Sequence, residues 1–170
     1  MRAFLAIEVP EFPDMPSRPE GHLTLKFLGD LEPERVPALS EAVRPAVRAI
    51  APFEFVVEGV GAFPSTERPR VVWAGVSEGR DQLVYLADQV EAACAGAGIL
   101  RDLREFAPHV TLLRARGPRG AGRAHGLLEK YKGRRFGAAT AREVVLFESE
   151  LRPEGAIHRP VERFPLDGAA

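Results

Sequence analysis

A single cysteine, Cys94, stands in the 170 residues. It excludes an internal disulfide and a cysteine-rich metal site, and its plain reading is a small buried hydrophobe on a helix. Net charge is scarce too. The 23 Lys and Arg against 24 Asp and Glu leave −1, which argues against a protein that coats nucleic acid through bulk positive charge, although a local patch can still grip one phosphate. Long apolar runs are missing: the opening MRAFLAIEVPEF is too short for a secretory signal, and no stretch approaches membrane-spanning length. A soluble, cytoplasmic protein that does not meet the membrane is expected. Only four histidines occur, with no HxxxH or HxxE pair, so no metal site is read and no cofactor is called for.

Two of those four histidines open similar strings. HLTLKFLG begins at His22 and HVTLLRAR at His109. Alternation reads both as strands, placing Leu23, Leu25 and Phe27 on one face and His22, Thr24 and Lys26 on the other; His109 and Thr111 share a face in the second copy. Around them the chain reads as α+β. A strand over RAFLAIEV precedes the first motif, separated from it by the proline-broken EFPDMPSRPEG. A helix follows, starting at Pro33 and carrying Val36, Leu39, Val43 and Val47, with Pro45 threatening a kink. Strands are expected over 53–63 and 70–76, and a helix capped near Asp81 stops at Gly96 and Gly98. After HVTLLRAR come a loop GPRGAG, a short helix around Leu127 and Leu128, a strand over 143–151 and a last strand near 160–166.

Each half thus runs through a His-x-Thr strand, a helix and two strands. One domain over 1–170 is expected, built of two pseudo-symmetric lobes with one His-x-Thr strand each at a shared cleft. His125 and His158 lack a threonine partner and read as exposed or structural, and Phe106 reads as a core residue more than a base-stacking one. From Arg114 to Arg135 stand eight basic residues against Glu129 alone, either a solvated face or a surface that steers RNA by its phosphates.

The chemistry of paired imidazoles is specific. Cleaving a phosphodiester without a metal needs a base to deprotonate water and an acid to protonate the departing oxygen, and histidine near its ordinary pKa serves as either. Threonine hydroxyls beside each imidazole can donate to non-bridging phosphate oxygens. These motifs resemble those of the 2H phosphoesterases, and within them the RNA 2′,3′-cyclic phosphodiesterases also called 2′-5′ RNA ligases. RAFLAIEVP is similar to that family's first strand, GAFPSTERPRVVWAGV to its central hairpin, and VVLFESELRPEG with RFPL to its closing strands.

The resemblance implies a two-lobed fold of antiparallel sheets and a metal-free cleft in which His22, Thr24, His109 and Thr111 carry the chemistry. It also places a phosphate-contacting arginine at Arg114, although strict alternation from His109 points Arg114 the other way. The segment between first strand and first motif is shorter here than in most of the family. The implied reaction opens an RNA terminal 2′,3′-cyclic phosphate to a 2′-phosphate, with His109 taken as base and His22 as acid; pseudo-symmetry permits the reverse. The alternatives are reversible 2′-5′ joining of RNA ends by the same site, and an RNA- or nucleotide-binding module without turnover. A monomer is expected.

Overall fold

The computed structural model describes residues 1–16 and 20–169. Its strands form two four-stranded antiparallel sheets. The first, in the order β2-β1-β7-β8, joins β1 (Arg2–Glu8), β2 (His22–Asp30), β7 (Glu143–Arg152) and β8 (Gly155–Pro165). The second, in the order β5-β4-β3-β6, joins β3 (Phe53–Pro64), β4 (Pro69–Val76), β5 (His109–Arg114) and β6 (Arg135–Ala141). The lobes are therefore not the two halves of the sequence. Both chain ends build the first sheet, and the middle of the chain builds the second. Each His-x-Thr strand lies at the edge of its own sheet, and β2 and β5 run close to one another.

Helices cover one face of the first sheet. α1 (Val36–Arg48) sends Leu39, Val43 and Val47 inward, and α2 (Arg80–Gly96) sends Leu83, Leu86 and Val90, so that both pack on Leu5, Ile7, Leu23, Leu146 and Phe164. Such leucines, wholly removed from water, each contribute roughly 1.5–3 kcal/mol of burial. Pro45 does not break α1 because it stands in the last turn, where the carbonyl it cannot bond belongs to the exposed Glu41. On the opposite face of this sheet Phe4, Ala6, Val145 and Phe147 form a second buried cluster, which floors the cleft.

Two segments differ from the sequence reading. GPRGAG is not a loop but the start of α3 (Gly117–Lys130). Its glycines weaken helix propensity, yet Pro118 suits the first turn and buried Ala124 anchors the helix against the second sheet. Gly120 has a packing reason: a Cβ there would meet the Ala115 backbone at 3.0 Å. RFGAATA, unassigned from sequence, is β6, which pairs with β3 from Phe53↔Ala141 to Glu58↔Arg135. Its small residues carry little strand propensity, and cross-strand pairing supplies what propensity does not. Gly137 leaves room for Phe12, whose ring lies 2.5 Å from where a Cβ would stand, so the segment after β1 crosses to the second sheet.

Candidate active site

Both motif strands carry the same irregularity. In β2, Leu5 pairs with Lys26 and Ala6 with Thr24, so Leu25 is an extra residue. In β5, Val72 pairs with Leu113 and Trp73 with Thr111, so Leu112 is extra. Each bulge falls three residues after the motif histidine, and each reverses the alternation beyond it. Residues five beyond the histidines, Phe27 and Arg114, therefore return to the cleft face.

That reversal corrects the sequence reading of Lys26. It does not share the face of His22 but is buried on the helix side, where Nζ donates to Glu91 Oε1 and to the Leu100 carbonyl, both at 2.8 Å. Phe27 takes the place alternation gave to Lys26 and is 63% exposed, 6.2 Å from the Phe4 ring. Arg114 gains what alternation denied it. Its Nε donates to Glu20 Oε1 at 3.0 Å, and its Nη2 lies 3.0 Å from the same oxygen.

Glu20 also joins Arg114 to the first motif, since its Oε2 stands 3.9 Å from His22 Nε2. Carboxylate, imidazole and guanidinium thus come together from the loop before β2, from β2 and from β5. His22 is buried over Phe4 at 4.7 Å between ring centroids. Thr24, half-buried, pairs with Ala6 of the cleft floor, while Thr111 is buried opposite Trp73.

His109 has a defined tautomer. Its Nδ1 lies 2.7 Å from the Ala107 carbonyl, which can only accept, so Nδ1–H donates and the neutral ring keeps its lone pair on Nε2. Phe63 meets this ring edge-on at 5.1 Å.

The sequence reading missed His158. It is neither loop-borne nor remote but lies in β8, paired with Ser149, with its ring edge-on to His22 at 5.2 Å and to Phe4 at 5.0 Å. Burial lowers its pKa, Glu20 opposes that shift and Arg114 adds to it. Nδ1 of His158 is buried without a hydrogen-bond partner. The signal for it is nonlocal: β8 reaches His22 only because β7 pairs with β1. His125 is exposed on α3, and Phe106 packs partly buried against the core. Among the described residues, no group of three or more His, Cys, Asp or Glu is placed to hold a metal ion. No helix among them is long and apolar enough to cross a membrane.

The family model for the 2′-5′ RNA ligase superfamily matches residues 6–152. The chain belongs to that superfamily. Its paired His-x-Thr strands are the 2H phosphoesterase arrangement. Among curated relatives of this superfamily member, the RNA 2′,3′-cyclic phosphodiesterase of Aquifex aeolicus is 35% identical over 148 residues, covering 86% of this chain and 78% of its own. That of Methanothermobacter thermautotrophicus is 34% identical over 145 residues, covering 85% and 78%. Among solved structures, TT0787 of Thermus thermophilus superposes with a TM-score of 0.77 at 28% identity over the full length of both chains. Escherichia coli LigT complexed with 3′-AMP gives 0.71 at 26% identity, covering 97% of each chain.

Proposed function

We propose that this phosphodiesterase opens the 2′,3′-cyclic phosphate at an RNA end, by water attack without a metal, to leave a 2′-phosphate and a free 3′-hydroxyl. The observation that carries the reading is the Glu20 contact with both His22 and Arg114, which draws the two motif strands into one cluster. The names of the curated relatives supply the substrate class.

In this mechanism His109 Nε2 takes a proton from water as the water oxygen bonds to phosphorus. The tautomer held by Ala107 leaves that nitrogen ready to accept. His22, whose Nε2 has the Glu20 carboxylate within ion-pair range, protonates the 3′ oxygen as its bond to phosphorus breaks. Thr24 and Thr111 donate to the non-bridging oxygens. Arg114 spends Nε and Nη2 on Glu20 and keeps Nη1 for the phosphate, where its charge counts most as negative charge gathers on those oxygens. Phe27, exposed on the same face, offers a ring on which a base can stack. The proposal includes one two-lobed domain over 1–170, working as a monomer in the cytoplasm.

Incubation with a short RNA ending in a 2′,3′-cyclic phosphate tests it. Conversion to a 2′-phosphate end supports the reading. A joined 2′-5′ product, or tight binding without conversion, replaces it with ligation or with a binding role.

A further inference from the structure

One cavity adjoins His109 on the side away from Arg114. It encloses about 390 Å³ between the β3–β4 surface and the segment leading into β5, with Phe63, Trp73 and His109 among its walls and Glu58 and Arg80 at its edge. That volume is typical of small-ligand sites, whose linings are mostly apolar with a few polar groups. We propose that this cavity is a nucleobase subsite, seating the base of the nucleoside that carries the cyclic phosphate. The inference rests on the phosphodiesterase reading for what occupies the cleft and adds where the base goes.

Position comes first. Along β5 the phosphate-directed groups Thr111 and Arg114 lie to one side of His109, whereas Ala107, Pro108 and Gly75 bound the cavity on the other. A ribose whose 2′ and 3′ oxygens meet the imidazole therefore points its base into this space. The walls suit a flat aromatic guest. Phe63 is 40% exposed, stands edge-on to His109, and is 5.4 Å from the Trp73 ring. An indole fits here only because the strands beneath it lack side chains: a Cβ on Gly61 would come within 2.3 Å of the Trp73 ring, and one on Gly75 within 3.3 Å. The result is an aromatic wall beside the reacting group. Base–aromatic stacking tolerates any base, and edge groups then add preference. Glu58, which accepts from Ser77 Oγ at 3.1 Å, and Arg80, exposed and without an ion-pair partner among the described residues, supply an acceptor and a donor at the rim.

The experiment uses two substrates and one optical probe. Adenosine 2′,3′-cyclic phosphate carries a base; methyl riboside 2′,3′-cyclic phosphate has the same sugar and phosphate without one. Phe63→Ala is expected to raise KM for the nucleotide about tenfold, within the range for one stacked base, while kcat stays within about twofold and KM for the base-free substrate does not change. Trp73 is the only tryptophan in the chain. Adenosine 2′-monophosphate is therefore expected to quench the protein's tryptophan emission, and ribose 5-phosphate is not. This readout is independent of turnover. If neither cyclic phosphate is hydrolysed but adenosine 2′-monophosphate still quenches Trp73, the subsite stands and the hydrolytic reading falls. If hydrolysis is normal while Phe63→Ala affects both substrates alike, or while Trp73 does not respond to the nucleotide, the subsite is overturned and the hydrolytic reading stands. Equal melting temperatures for wild type and Phe63→Ala, measured alongside, tie the KM change to the cavity.

Discussion

Replacing Lys26 by methionine keeps most of the aliphatic stem and removes the ammonium. In the folded protein that ammonium is buried, and it holds Glu91 Oε1 and the Leu100 carbonyl at 2.8 Å each. Its loss strands two acceptors. Glu91 keeps one donor, the Asp102 amide at 3.0 Å, and its side chain is 17% exposed, so part of its charge can rehydrate. Breaking a buried pair from one side costs about 3–5 kcal/mol, and partial hydration places Lys26→Met near the lower end, about 3 kcal/mol. For a chain of this size that lowers the melting temperature by roughly 6–12 °C. Calorimetry or melting followed by circular dichroism reads it directly. Lys26→Met combined with Glu91→Leu is expected to recover much of the loss, because the second change removes the stranded charge. Turnover at a temperature where both proteins are folded is expected to stay within about threefold of wild type, since Lys26 faces the helices. A melting temperature unchanged within about 2 °C, together with a large loss of turnover, would refute the bulge at Leu25 and return Lys26 to the cleft.

Three further outcomes follow from the site. Changing either His22 or His109 to alanine is expected to lower turnover of a cyclic-phosphate RNA at least roughly 10²-fold, with the double change far short of multiplicative; a near-normal rate in either single variant contradicts shared acid–base work. Arg114→Ala is expected to slow hydrolysis of a cyclic mononucleotide, whereas Arg119→Ala, on the exposed first turn of α3, should alter only salt sensitivity and capture of longer RNA. Like behaviour on the mononucleotide would make Arg114 an ordinary surface charge. His158→Phe tests the buried imidazole through pH. Burial holds its folded-state pKa below the ordinary 6.5, so as pH falls past that value the unfolded chain binds more protons and stability drops. The loss of melting temperature between pH 7.5 and pH 5.5 is expected to be smaller in His158→Phe than in wild type, and an equal loss in both contradicts the assignment.

What the sequence showed was whatever depends on local pattern. His22, Thr24, His109 and Thr111 stood out because residue type and period two are both local signals, and Leu39, Val43 and Val47 marked α1 for the same reason. The faces of Lys26, Phe27 and Arg114 did not stand out. Leucine at the bulge positions, 25 and 112, looks like any strand leucine, and the extra residue is visible only in how β1 and β4 pair with their neighbours. His158 and β6 were hidden similarly. One is brought to His22 through two intervening strands, and the other becomes a strand because β3 offers it an edge.

The central claim is that two histidines on facing strands hydrolyse a cyclic phosphate with side chains alone. Its most direct test is one reaction: a 2′,3′-cyclic-phosphate-terminated RNA, exhaustively chelated enzyme and water enriched in heavy oxygen, with the product read by mass spectrometry and end-group mapping. An undiminished rate and a 2′-phosphate end carrying a single heavy oxygen are expected. Loss of activity on chelation with rescue by a specific divalent ion, or a labelled 3′-phosphate in place of the 2′ product, would contradict it.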